Sequence, residues 1–135
     1  MKRRHWQLLA VFTLALASTL ACGSDEPTAP VPGTLVVTLT TPNADDGAIL
    51  LSISGGGIDT PTTVATSHLL FQRLTGTSSV NTVVVGNITA GPLLRFDVPN
   101  VNDASSYVAT ITEVADRDNG LRTSLAGYSL SITSE

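Results

Sequence analysis

From about position 34 onward, hydrophobic and polar residues alternate with period two. In "TLVVTLT", Leu35, Val37 and Leu39 fall on one face, with Thr34, Val36, Thr38 and Thr40 on the other; "GAILLSIS" repeats the pattern with Ile49, Leu51 and Ile53. Successive side chains of a strand point to opposite faces, so this spacing predicts half-buried strands. "LLRFDV" places Leu94, Phe96 and Val98 inward with Arg95 and Asp97 outward. Tyr107, Ala109 and Ile111, then Tyr128, Leu130 and Ile132, continue the series. Two less regular runs, Ser67 to Leu74 and Val80 to Gly86, bring the total to about seven strands. Turn formers separate them: Pro42-Asn43, Asp45-Asp46-Gly47, Gly55-Gly56-Gly57, Gly76, Gly91-Pro92, Pro99-Asn100 and Asp118-Asn119-Gly120.

Nothing between Thr34 and Glu135 carries a helical period, and a stretch of roughly 100 residues suits one domain rather than two. About seven short strands in that length predict an all-β fold, an antiparallel immunoglobulin-like sandwich. A cohesin-like or other jelly-roll strand order fits the pattern equally well. "DASSYVA", Asp103 to Ala109, resembles the tyrosine-corner region of immunoglobulin-like domains, where an Asp lies four residues before a Tyr that opens a late strand. The resemblance implies a structural role for Tyr107, its ring in the core and its hydroxyl bonded to nearby backbone. Ala109 stands where that family often has a disulfide cysteine, which removes the inter-sheet bridge.

The pattern before position 34 is different. Lys2, Arg3 and Arg4 precede Leu8–Leu20, "LLAVFTLALASTL", a 13-residue uncharged run with ten apolar members. As a helix it reaches about 20 Å, against roughly 30 Å of hydrocarbon in a bilayer, so it predicts a secretory leader rather than a permanent span. The run ends in Thr19-Leu20-Ala21-Cys22. "TLAC" after such a run resembles the lipobox of bacterial lipoproteins, in which the leader is cut before a cysteine that becomes acylated. Thr19 stands where Leu is usual. The resemblance implies cleavage after Ala21, lipidation of Cys22 and anchoring in a bacterial cell envelope. With Gly23 rather than Asp after the cysteine, it implies outer-membrane sorting in a Gram-negative host. Cys22 is also the only cysteine, so no disulfide within the chain is available to it.

The sequence thus divides into a leader, 1–21, a lipidated Cys22 with a tether to residue 33, and a sandwich domain, 34–135. Gly23 to Gly33, "GSDEPTAPVPG", has three prolines, two glycines and two acids. This composition predicts an extended tether of up to roughly 34 Å at about 3.1 Å per residue.

Charge narrows the partners. After the leader the chain holds four Arg and no Lys against 11 acids, a net charge of −7. Nucleic acid is excluded, because that affinity is built on clustered Lys and Arg.

Catalytic chemistry finds little to stand on. His68 is the only histidine after the leader, which rules out a two-histidine metal site, and no G-x-S-x-G elbow marks a serine. Gly55-Gly56-Gly57 lacks the Lys-Ser/Thr of a phosphate loop and reads as a flexible turn. Asp116 to Gly120 offers oxygen ligands, but counting from Asp116 the glycine comes at five and the twelfth residue is Gly127, against the EF-hand's Gly at six and Glu at twelve. Asn119-Gly120 reads instead as a type I′ hairpin turn. The aromatics Phe71, Phe96, Tyr107 and Tyr128 mostly occupy inward positions, which disfavours sugar stacking. No cofactor or metal is expected. The function that follows is a lipid-anchored envelope module for binding, adhesion or structure, in contact with the membrane through Cys22 and with an envelope protein or polymer through loops or a strand edge. The alternative is a small hydrolase or metal-dependent enzyme using Asp97, Asp103 or Asp116.

Overall fold

A computed structural model describes residues 28–135. It contains eight strands: β1 (Gly33–Thr40), β2 (Asp46–Ser54), β3 (Thr62–Thr63), β4 (Leu69–Leu74), β5 (Ser79–Ile88), β6 (Gly91–Val98), β7 (Val108–Asp116) and β8 (Ser129–Ser134). A short 3-10 helix, Val101–Ser106, joins β6 to β7. The strands form two antiparallel four-stranded sheets, ordered β3-β6-β1-β8 and β4-β5-β2-β7. Among the described residues, no helix is long and apolar enough to cross a membrane.

The all-β sandwich expected from the alternation is present, with β3 as an extra strand. It is only two residues long, too short to register as a period. The pairing is nested: β1 with β8, β2 with β7, β3 with β6 and β4 with β5. In the constant-type immunoglobulin order, the first two strands are neighbours in a sheet and the sheets hold four and three strands. Here β1 and β2 lie in opposite sheets, and eight strands in two sheets is the count of a jelly roll.

The predicted inward faces supply the core. Leu35, Val37, Leu39, Ile49, Leu51 and Ile53 are almost fully buried, and Phe96, Val98 and Tyr107 join them. Ala109, Ile111, Tyr128, Leu130 and Ile132 pack against this cluster from the edge strands β7 and β8 or beside them, and are only partly buried. A register shift between Val37 and Thr38 lets Leu93 and Leu94, adjacent in sequence, both reach the interior.

The domain also begins slightly earlier than the alternation indicates. The Val31 N–H donates to Asn100 Oδ1 (3.0 Å), the Val101 N–H donates to the Val31 carbonyl (2.8 Å), and Gly33 already pairs with Val98. The last residues of the expected tether therefore dock on the sandwich.

The Gly55-Gly56-Gly57 segment is less a flexible turn than a seat for Tyr107. The Tyr107 ring lies 5.7 Å from that of Phe96, tilted by 54°, and its hydroxyl donates to the Gly57 carbonyl (3.2 Å). An immunoglobulin tyrosine corner bonds backbone a few residues upstream; this acceptor lies 50 positions away in sequence. The tyrosine thus ties the β2–β3 connection to the start of β7. A Cβ on Gly55 would sit 2.3 Å from Tyr107 Cδ1, whereas one on Gly57 meets nothing within 4 Å. Gly55→Ala should therefore cost about 1–3 kcal/mol through forced displacement of the ring, and Gly57→Ala less than about 0.5 kcal/mol. Urea denaturation of the two variants checks this, and equal midpoints would refute it.

Burial, with a smaller contribution from the Asp103 carboxylate, raises the Tyr107 phenol above its ordinary value. The native state then holds this proton more tightly than the unfolded chain. The associated stability is complete below about pH 10 and declines as pH rises through the native value. Denaturation midpoints should fall less steeply between pH 9 and about pH 11 in Tyr107→Phe than in the parent. Parallel slopes would show that this phenol is not linked to folding.

Candidate functional site

Two regions of the sandwich gather polar or apolar groups in ways that alternation alone does not show. The first is the pole formed by the β1–β2 loop and the segment after β7. Gly47 is an extra residue in β2 relative to β7, while on the other side β5 carries two residues, Gly86 and Asn87, opposite it, so the register shifts between Asp46 and Ala48 against both partners as a β-bulge. Strict alternation from Ile49 would send the Asp46 side chain outward; the bulge turns it inward, where it is fully buried. Only glycine fits at position 47, since a Cβ would come within 2.6 Å of the Asp116 carbonyl oxygen.

The buried carboxylate is fully engaged. Asp46 Oδ1 accepts from the Tyr128 hydroxyl (2.8 Å) and from Arg122 Nη2 (2.9 Å) and Nε (3.1 Å), and Oδ2 accepts from the Thr41 hydroxyl (2.7 Å). Arg122 Nη2 also reaches Asp45 Oδ1 (2.5 Å), and Asn43 Nδ2 donates to the Tyr128 oxygen (2.7 Å). Hydrogen bonds from Arg122 to Asp45 and then to Asp46 hold the guanidinium still more firmly in its charged form. Four donors occupy the acceptor sites of Asp46, so its chemistry is that of a clamp between loops.

Arg117 extends the clamp, donating to the Ala44 carbonyl (2.6 Å) and to Asn87 Oδ1. Asp116 Oδ1 accepts the N–H groups of Gly120 (2.8 Å) and Asp118 (3.0 Å). The oxygens that suggested calcium thus shape their own turn. That turn places only Asn119 at positive φ, and a bridge pairs Ala115 with Leu121. It is a three-residue loop closed by a left-handed residue, rather than the expected type I′ pair. A shallow depression of about 540 Å³ beside it is lined by Gly86, Asn87, Asp116 and Arg117, whose polar groups already serve these bonds.

The residues considered for catalysis serve local structure, and only His68 and Asp116 border a shared segment, Gly86-Asn87. His68 packs on Gly86, where a Cβ would come 2.6 Å from its Cδ2, and its Nε2 lies 3.2 Å from the Asn87 carbonyl oxygen. Asp97 accepts from the Thr34 hydroxyl (2.6 Å), and Asp103 from Asn100 Nδ2 (2.9 Å). Among the described residues, no three His, Cys, Asp or Glu side chains gather into a metal-holding group. Ala21 and Cys22 lie outside the described residues.

The second region is β4, which among the described residues is an edge strand that pairs only with β5. Phe71, expected with the inward aromatics, is 61% exposed, beside Leu69 at 62% and Leu74 at 52%. On the opposite side of the sandwich β7 and β8 lie against each other. On this side, the two-residue β3 is too short to cover Gln72 and Leu74, although both sit opposite the buried Thr82 and Val80 of β5. The sequence signal was the irregular alternation of "LLFQRL" itself. No family model, curated protein or solved structure matches the chain.

Proposed function

We propose that the protein is a lipid-anchored module of a bacterial envelope, held through Cys22 and its Pro-rich tether, that binds or adheres rather than catalyses. The observation that carries the binding role is the open β4 edge with Leu69, Phe71 and Leu74 exposed on a single strand. Large side chains gathered on an unpaired edge mark a surface for another polypeptide, because the edge supplies main-chain bonds and the side chains supply apolar contact.

The carboxylates support the same reading. Asp46, Asp97, Asp103 and Asp116 each accept hydrogen bonds that hold a loop or join elements. The anchor rests on "TLAC", the uncharged run before it and the proline-rich stretch after it. Where the chain fractionates once Cys22 is replaced tests the anchor. Which molecule crosslinks to a photoreactive residue at position 71 in native envelopes tests the binding face.

A further inference from the structure

We propose that the partner of the β4 edge is a second copy of this chain, paired antiparallel, β4 to β4, about a two-fold axis through Gln72. This names the partner of the binding face proposed above and rests on that reading, though not on the lipid anchor.

The backbone sets which registers are open. The Thr75 N–H donates to the Ser79 carbonyl (2.9 Å) at the end of the β4–β5 ladder. Alternation along that ladder directs the N–H and C=O groups of Leu69, Phe71 and Arg73 toward β5, and those of Leu70, Gln72 and Leu74 toward the open edge. With the axis at Gln72, Gln72 faces its own copy and Leu70 faces Leu74 of the other chain. Each facing pair then exchanges both N–H···O bonds.

The side chains favour this register over its neighbours. Arg73, the only charge on β4, faces the Phe71 ring of the other copy, a cation over an aromatic face, and by symmetry the contact forms twice. An axis at Arg73 would oppose two arginines. An axis at Phe71 would set Arg73 against Leu69 and Gln72 against Leu70.

Long-range charge agrees. The chain carries −7 after the leader, yet from Thr60 to Phe96 there is no Asp or Glu. Two copies therefore meet along the stretch that repels least. The strand also lacks the usual protection of an edge. It has no Pro, Lys, acid or bulge, whereas β7 carries Glu113 and a register shift. Closure about a two-fold axis uses up the exposed edge of both copies.

The test uses the full chain, secreted with Cys22→Ser so that a cysteine at position 72 is its single thiol. We expect a dimer by sedimentation equilibrium, and disulfide-linked dimers from Gln72→Cys, because the facing Cα atoms lie about 5.5 Å apart, within disulfide range. Leu69→Cys, about 20 Å from its copy in this register, should not crosslink. Phe71→Arg sets like charges opposite each other and should yield monomers with an unchanged thermal melt. Adding Arg73→Glu to that variant should restore the dimer by pairing Arg and Glu across the axis. A parent chain that stays monomeric overturns the inference, as does crosslinking through Leu69→Cys or a Phe71→Arg dimer. Capture of a different envelope component at position 71 by a monomeric chain would overturn it too, while leaving the binding role intact.

Discussion

Replacing Cys22 with serine should move nearly all of the protein from the membrane fraction to the soluble envelope fraction. Each buried methylene of an acyl chain contributes about 0.8 kcal/mol, and two or more chains hold a protein stably where one holds it only marginally. Among the described residues, no helix is long and apolar enough to cross a membrane. The acidic domain gains little from an anionic lipid surface either, with four Arg against 11 acids from Cys22 onward. The comparison is made with a conventional secretory leader on the variant, so that a retained leader cannot hold it. Mass spectrometry of the parent's mature N-terminus should show acyl groups on the Cys22 sulfur. An unmodified thiol, or unchanged membrane partitioning of the variant, would remove both the anchor and the address.

Replacing Asp46 with alanine should destabilise the sandwich by about 3–5 kcal/mol, the cost of breaking a buried ion pair from one side. Native domains are stable by only about 5–15 kcal/mol, so this is a large share. Four donors lose their acceptor at once: the Thr41 and Tyr128 hydroxyls and two N–H groups of Arg122. Asp45→Ala removes a neighbouring partner of the same arginine, but Asp45 is exposed, and its loss should cost less than about 0.5 kcal/mol. Combining Asp46→Leu with Arg122→Met should recover part of the loss, because neither charge is then left without its partner. Chemical denaturation of the series decides the point. A parent-like midpoint for Asp46→Ala would mean the clamp contributes no stability.

The contrast between Asp45 and Asp46 shows what could be read from the chain. The pair looked like ordinary turn residues before Gly47. Nothing local distinguishes them, because the inward rotation of Asp46 is imposed by a bulge that exists only against two partner strands. Phe71 is a similar case. Its type predicted burial, but it stands on the outer face of its sheet with Arg73 and beside Val83 and Asn81 of β5, the face turned away from the core that Thr82 and Val80 join. Tyr107 was legible as a core tyrosine with a bonded hydroxyl, while its acceptor, Gly57, was not, since the two meet only when the β2–β3 connection folds across the end of the sandwich.

The sequence by itself determined the strand-rich class and the inward faces of β1, β2 and β6, because a period of two is a property of each segment alone. The same local logic carries the expectation of a leader and tether before the domain. Only the tertiary structure decided the nested strand order, the buried charge at the loop pole and the open β4 edge. Each of these depends on which segments become neighbours, and therefore on pairings between residues far apart along the chain.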